Sequence, residues 1–143
     1  MRRGKLVKVF GALFGALLVL QLVPASRTNP PVTQDLEAPP AVKALLKRAC
    51  YDCHSNESVW PWYARVAPAS FLVSHDVKEG REHLNFSEWD RVAAEKQPRK
   101  LKKAAASLKD GKMPLPIYLP LHPEARLTPE ERDTLTAWLS RPR

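Results

Sequence analysis

Cys50-Tyr51-Asp52-Cys53-His54 is the stretch from which the rest of the chain is read. Two thiols three residues apart near a helix end can add to the two vinyl groups on one edge of a porphyrin. The imidazole that follows then falls beneath the iron as proximal ligand. C-x-x-C-H therefore points to haem c, held by Cys50 and Cys53 and ligated by His54. Competing readings use the same residues. A tetrahedral zinc site needs a fourth ligand, usually from a second Cys/His pair, and the chain has no other cysteine. A thioredoxin-like dithiol needs a βαβ setting, which the flanking pattern lacks. A structural disulfide leaves His54 unexplained.

The second axial ligand separates one kind of haem protein from another. Met113 is the one methionine besides the initiator, and it sits in Gly111-Lys112-Met113-Pro114-Leu115-Pro116. A soft thioether on a proline-stiffened loop suits iron, and His/Met ligation raises the reduction potential. The alternative sixth ligands are His75, on the apolar side of a helical segment, and His122, close after the Met113 loop. His83 lies in a polar stretch and reads as solvated. Trp60, Trp62 and Tyr63 follow the motif closely and offer flat apolar walls for a macrocycle, while Arg65 is placed to pair with a propionate.

Outward from the motif the pattern is helical and cut by proline, with no period-2 strand. Pro40 opens a segment with Val42, Leu45, Leu46 and Ala49 at helical spacing. Pro68 opens Ala69 to Glu79, expected to end near Gly80. Ser87 is a candidate cap for Glu88 to Glu95. Pro98 starts a basic helix, Arg99 to Lys109, stopped at Asp110-Gly111 where glycine supplies a left-handed C′ residue. Thr128-Pro129-Glu130-Glu131 is a capping box that launches the last helix, with Leu135, Trp138 and Leu139. The expected fold is all-α: a small helical domain of about five short helices with a Pro-rich Met loop, behind an N-terminal hydrophobic helix.

The chain has 143 residues, 14 prolines and a formal charge of +8. Half of that charge lies in Met1 to Ala25, where Arg2, Arg3, Lys5 and Lys8 precede an apolar run and no acid occurs. This segment, residues 1–25, reads as an export signal or a retained membrane anchor, and the positive-inside rule puts the rest outside the cytoplasm. Residues 26–40, with four prolines, read as a linker, and residues 41–143 as the haem-binding domain. Export and the modest remaining charge exclude a nucleic-acid role.

Ala49 to Tyr63, ACYDCHSNESVWPWY, resembles the bacterial haem-binding domain family and its C-x-D-C-H-S-N-x-T-x-x-P-W-Y signature, with Ser58 where threonine is usual. The resemblance continues through Val73 to Arg81, Leu84 to Trp89, Met113 to Pro116 and Leu127 to Arg132. It implies a cytochrome-c-like, exported domain carrying covalent haem, found alongside cytochromes and di-haem peroxidases, one of which would be its periplasmic redox partner. The residues then read as a mono-haem electron carrier rather than an enzyme. The alternatives are a haem enzyme or gas sensor with an open sixth site, and a zinc or dithiol module.

Overall fold

The computed structural model describes Arg2 to Arg141; Met1, Pro142 and Arg143, which fall at the ends of the expected segments, lie outside the described residues, as do the side chains of Arg2 and Arg3. Six α-helices follow in order: α1 (Arg2–Leu20), α2 (Pro40–Ala49), α3 (Tyr51–His54), α4 (Ala69–His83), α5 (Gln97–Lys109) and α6 (Pro129–Leu139). Among the described residues no strand forms, and extended pairing is limited to one parallel bridge between Gln34 and Glu88. The chain gathers into two compact units. One holds the residues up to Thr28 with Trp60–Asp76; the other holds Asn29–Val59 and the chain from Val77 onward.

In the first unit, α1 leaves its large apolar side chains exposed around the whole helix, from Leu6 and Phe10 to Leu18 and Val19. Gln21 clamps the backbone of Ala67, accepting its N–H at 2.9 Å and donating to its carbonyl at 3.2 Å. Arg27 donates to the Ala64 carbonyl at 3.1 Å. Among the described residues no helix is long and apolar enough to cross a membrane. The expected spanning stretch is shortened because the helix ends at Leu20. From Val9 to Leu20 it extends about 18 Å at about 1.5 Å per residue, against about 30 Å of hydrocarbon.

The second unit is built as the apolar spacing requires. Proline at the first position starts α2, which buries Val42, Leu46 and Ala49 at intervals of four and three. On α5 the buried set is Leu101, Ala105 and Leu108, and on α6 it is Leu135, Trp138 and Leu139. Apart from Ala49, these meet with Tyr51, Phe86 and Trp89 in one core, each large side chain contributing about 1.5–3 kcal/mol on burial. The helix ends follow local chemistry. Thr128 and Glu131 form the reciprocal capping box of α6. At the end of α5, Gly111 has φ +68°, and the amides of Gly111 and Lys112 return to the carbonyls of Leu108 and Ser107 in a Schellman closure.

Three expectations need revision. Helix α4 does not stop near Gly80 but runs to His83, with the glycine in its interior. Glu88 to Glu95 is not an α-helix but two 3₁₀ turns, Trp89–Arg91 and Ala94–Lys96. Ser87 is not free to cap there, because its hydroxyl accepts the Asn56 amide at 2.9 Å. The stretch expected as an extended linker packs into the second unit from Asn29 onward. Leu36 is 1% exposed and its amide donates to the Phe86 carbonyl at 2.8 Å. Asp35 takes a 2.6 Å ion pair from Lys43 and a 2.6 Å hydrogen bond from the Tyr51 hydroxyl.

Candidate functional site

The site grows from α3, a single turn that carries Cys53 and His54 and is capped by Cys50. Both cysteines are half-buried. Burial, assisted by the proximity of Cys53, pushes the Cys50 thiol up to about 12, so its sulfur keeps its proton at neutral pH. No group of three or more His, Cys, Asp or Glu among the described residues could hold a metal ion by itself.

His54 is the best-oriented group of the site. Its Nδ1 lies 2.9 Å from the Gly80 carbonyl and 3.0 Å from the Leu84 carbonyl. Two carbonyls can only accept, so the proton is on Nδ1 and Nε2 carries the lone pair. Burial lowers the imidazole's pKa, partly offset by those carbonyls, and favours the neutral ring that a metal requires. Fixing one ring nitrogen through a backbone carbonyl is how metal-binding histidines are held in orientation. His54 also meets Phe86 edge-on at 6.3 Å.

The C-terminal half of α4 can reach His54 only because residue 80 has no side chain. A Cβ built on Gly80 would stand 2.4 Å from the Cys53 carbonyl oxygen. The next residue extends the contact. Arg81 donates from Nε to the Ser55 carbonyl at 2.7 Å and from Nη2 to Ser58 Oγ at 2.9 Å and Asn29 Oδ1 at 3.0 Å. It thereby holds the chain that leaves the motif. Asn56 completes this frame, donating to the Pro31 carbonyl and to Glu88.

Met113 belongs to the same unit and packs against its core. Its amide donates to the Ser107 carbonyl at 3.2 Å, and its carbonyl accepts from Arg132 Nη1 at 3.3 Å. The same guanidinium nitrogen takes the Leu108 carbonyl at 2.6 Å. The Met loop is thus bound to the end of α5 and to α6. His122, also in this unit, is half-buried, stacked on Tyr118 at 3.9 Å and paired through Nδ1 with Glu124 at 2.9 Å. Trp60, Trp62, Tyr63, Arg65 and His75 lie in the first unit, whereas Cys50, Cys53, His54 and Met113 lie in the second. Trp62 is 75% exposed, and Arg65 and His75 are exposed as well.

With two thiols on one turn and a neutral imidazole whose Nε2 carries the lone pair, the residues suit a haem iron. A family model described as a haem-binding domain matches residues 15–141. The chain belongs to the haem-binding domain family. Neither a curated protein nor a solved structure matches it. Four residues of this haem-binding domain, Asp52, Gly80, Arg81 and Tyr118, play parts that spacing did not disclose. By propensity Gly80 reads as a helix stop. Asp52, Gly80 and Arg81 lie within the stretches that resemble the family, whereas Tyr118 lies outside them.

Proposed function

We propose that this haem-binding domain is an exported, mono-haem c-type electron carrier. The observation that carries the reading is His54, neutral and pinned through Nδ1 by the carbonyls of Gly80 and Leu84, directly beside Cys50 and Cys53. In attachment each thiol adds across one vinyl group, sulfur to one carbon and hydrogen to the other, with no oxidant needed. The haem would supply a one-electron couple. The protein supplies the proximal nitrogen, the apolar surroundings and, through Met113, a thioether that favours the reduced state. With His54 and Met113 both holding the iron, no position would remain for substrate, which favours electron transfer over catalysis.

The N-terminal unit supports export and association with a membrane surface. Its helix is apolar on every side behind a basic start, the pattern of an export signal or membrane anchor rather than of a two-faced helix in a globular domain. The clamp of Gln21 on Ala67 supports retention of α1 in the mature protein. A periplasmic cytochrome or di-haem peroxidase is the proposed partner. The exposed Arg99, Lys102 and Lys103 on α5, a helix without an acid, suit an acidic docking face.

Co-expression with a c-type maturation system tests this reading. The purified protein should be red and low-spin, with the weak far-red band of methionine-ligated ferric haem, and Met113→Ala should abolish that band. A high-spin spectrum indifferent to Met113→Ala would reject electron transfer in favour of an open sixth site.

A further inference from the structure

The geometry points to a positioning role for Asp52, the residue just before Cys53: through Tyr118 it fastens the Met113–His122 loop to the attachment helix, and so sets how firmly the loop keeps its ligand on iron. This rests on the reading of Met113 as sixth ligand. The Tyr118 hydroxyl donates to Asp52 Oδ2 at 2.6 Å, joining residues 66 apart in sequence. The other carboxylate oxygen, Oδ1, accepts the Val59 amide at 2.9 Å. Both carboxylate oxygens therefore act as acceptors, one toward the loop and one toward the chain leaving the motif.

The loop is built to transmit this hold. Tyr118 N–H donates to the Leu115 carbonyl at 2.9 Å, and the amides of Leu121 and His122 return to the carbonyls of Tyr118 and Leu119 at 3.3 Å each. Residues 115–122 therefore fold into consecutive turns. The Tyr118 ring lies flat on His122, with an interplanar angle of 5°, and His122 is braced by Glu124. Met113 itself is held by Ser107 and Arg132 on the side of α5 and α6. The Asp52–Tyr118 bond supplies the second point of attachment, on the short helix that also carries the proximal histidine. A ligand loop held at two points resists displacement better than one held at a single point, because the loop's freedom is already removed.

Tyr118→Phe tests the role, since it keeps the ring and its stack on His122 and removes only the hydroxyl. The ferric holoprotein is titrated with imidazole, which competes with Met113 for iron. Hydrogen exchange at residues 115–122 is measured in parallel. Tyr118→Phe should bind imidazole about tenfold more tightly than wild type and lose protection at residues 115–122, as expected for loss of a hydrogen bond. Asp52→Asn should act in the same direction, and the double variant should be no worse than the stronger single one. Imidazole affinity within twofold of wild type, with protection at residues 115–122 unchanged, overturns the inference. A fall in melting temperature without a change in imidazole affinity also overturns it, since that is a purely structural effect. If Met113→Ala leaves the wild-type far-red spectrum unchanged, the ligation reading fails first, and the exchange data still report whether Tyr118 fastens the loop.

Discussion

Gly80→Ala is the substitution for which the structure gives the sharpest number. In an ordinary helix interior this change is favourable by about 1 kcal/mol, because alanine loses less backbone entropy. Here the added Cβ would lie 2.4 Å from the Cys53 oxygen, 3.0 Å from its carbonyl carbon and 3.2 Å from its Cβ. A carbon and an oxygen in contact sit about 3.3 Å apart, so α4 must retreat by about 0.9 Å. That displacement takes the 2.9 Å contact between His54 Nδ1 and the Gly80 carbonyl to about 3.8 Å, beyond a hydrogen bond. Overpacking costs about 1–3 kcal/mol and the lost hydrogen bond about 1 kcal/mol. Against the propensity gain, Gly80→Ala should destabilise by about 1–3 kcal/mol. Urea unfolding followed by circular dichroism reads this directly, and the haem spectrum should broaden as the imidazole loses its orientation. Gly111→Ala is the control. It is strained by its φ of +68° but meets no atom within 4 Å, so it should cost stability and leave the spectrum alone. If Gly80→Ala is neutral or stabilising with an unchanged spectrum, the proposed dependence of His54 on close approach by α4 is refuted.

Two further substitutions probe the framework. Leu36→Ala should cost about 2–5 kcal/mol in urea unfolding, because this residue is core despite lying in a proline-rich stretch; a change below about 0.5 kcal/mol would return Asn29 to Ala38 to the status of a linker. Glu131 has its carboxyl held below the usual range, first by the hydrogen bond from Arg48 and then by the Thr128 amide. A carboxylate whose pKa is lowered by folding contributes stability above its unfolded pKa, about 4.3, and that contribution is lost as pH falls through the lower folded value. Glu131→Gln should therefore flatten the acid limb of melting temperature against pH, and an unchanged limb would count against the Arg48–Glu131 tie between α2 and α6.

The helices with apolar residues at intervals of three and four were legible in the sequence, because burial on one face is what fixes them. So were the chemically explicit helix ends, the capping box at Thr128 and the left-handed turn at Gly111. Legibility failed where tertiary contact overrode a local cue. Gly80 reads as a stop by propensity, yet its lack of a side chain serves the approach to Cys53. Ser87 reads as a cap, yet its hydroxyl is taken by Asn56. Four prolines between Ser26 and Pro40 suggest a free linker, yet Leu36 and Asp35 bind that segment to the domain. At the site, Cys50, Cys53 and His54 announced themselves by spacing, whereas Asp52 and Tyr118 are 66 residues apart and no local pattern connects them.

The central claim is that Cys50 and Cys53 hold the haem by covalent bonds. Acid–acetone extraction of the protein made with a c-type maturation system tests it most directly. The account predicts that the haem remains with the polypeptide, and that the double variant Cys50→Ser, Cys53→Ser releases it into the acetone phase. Haem that leaves the wild-type protein as readily as it leaves that variant would contradict covalent attachment.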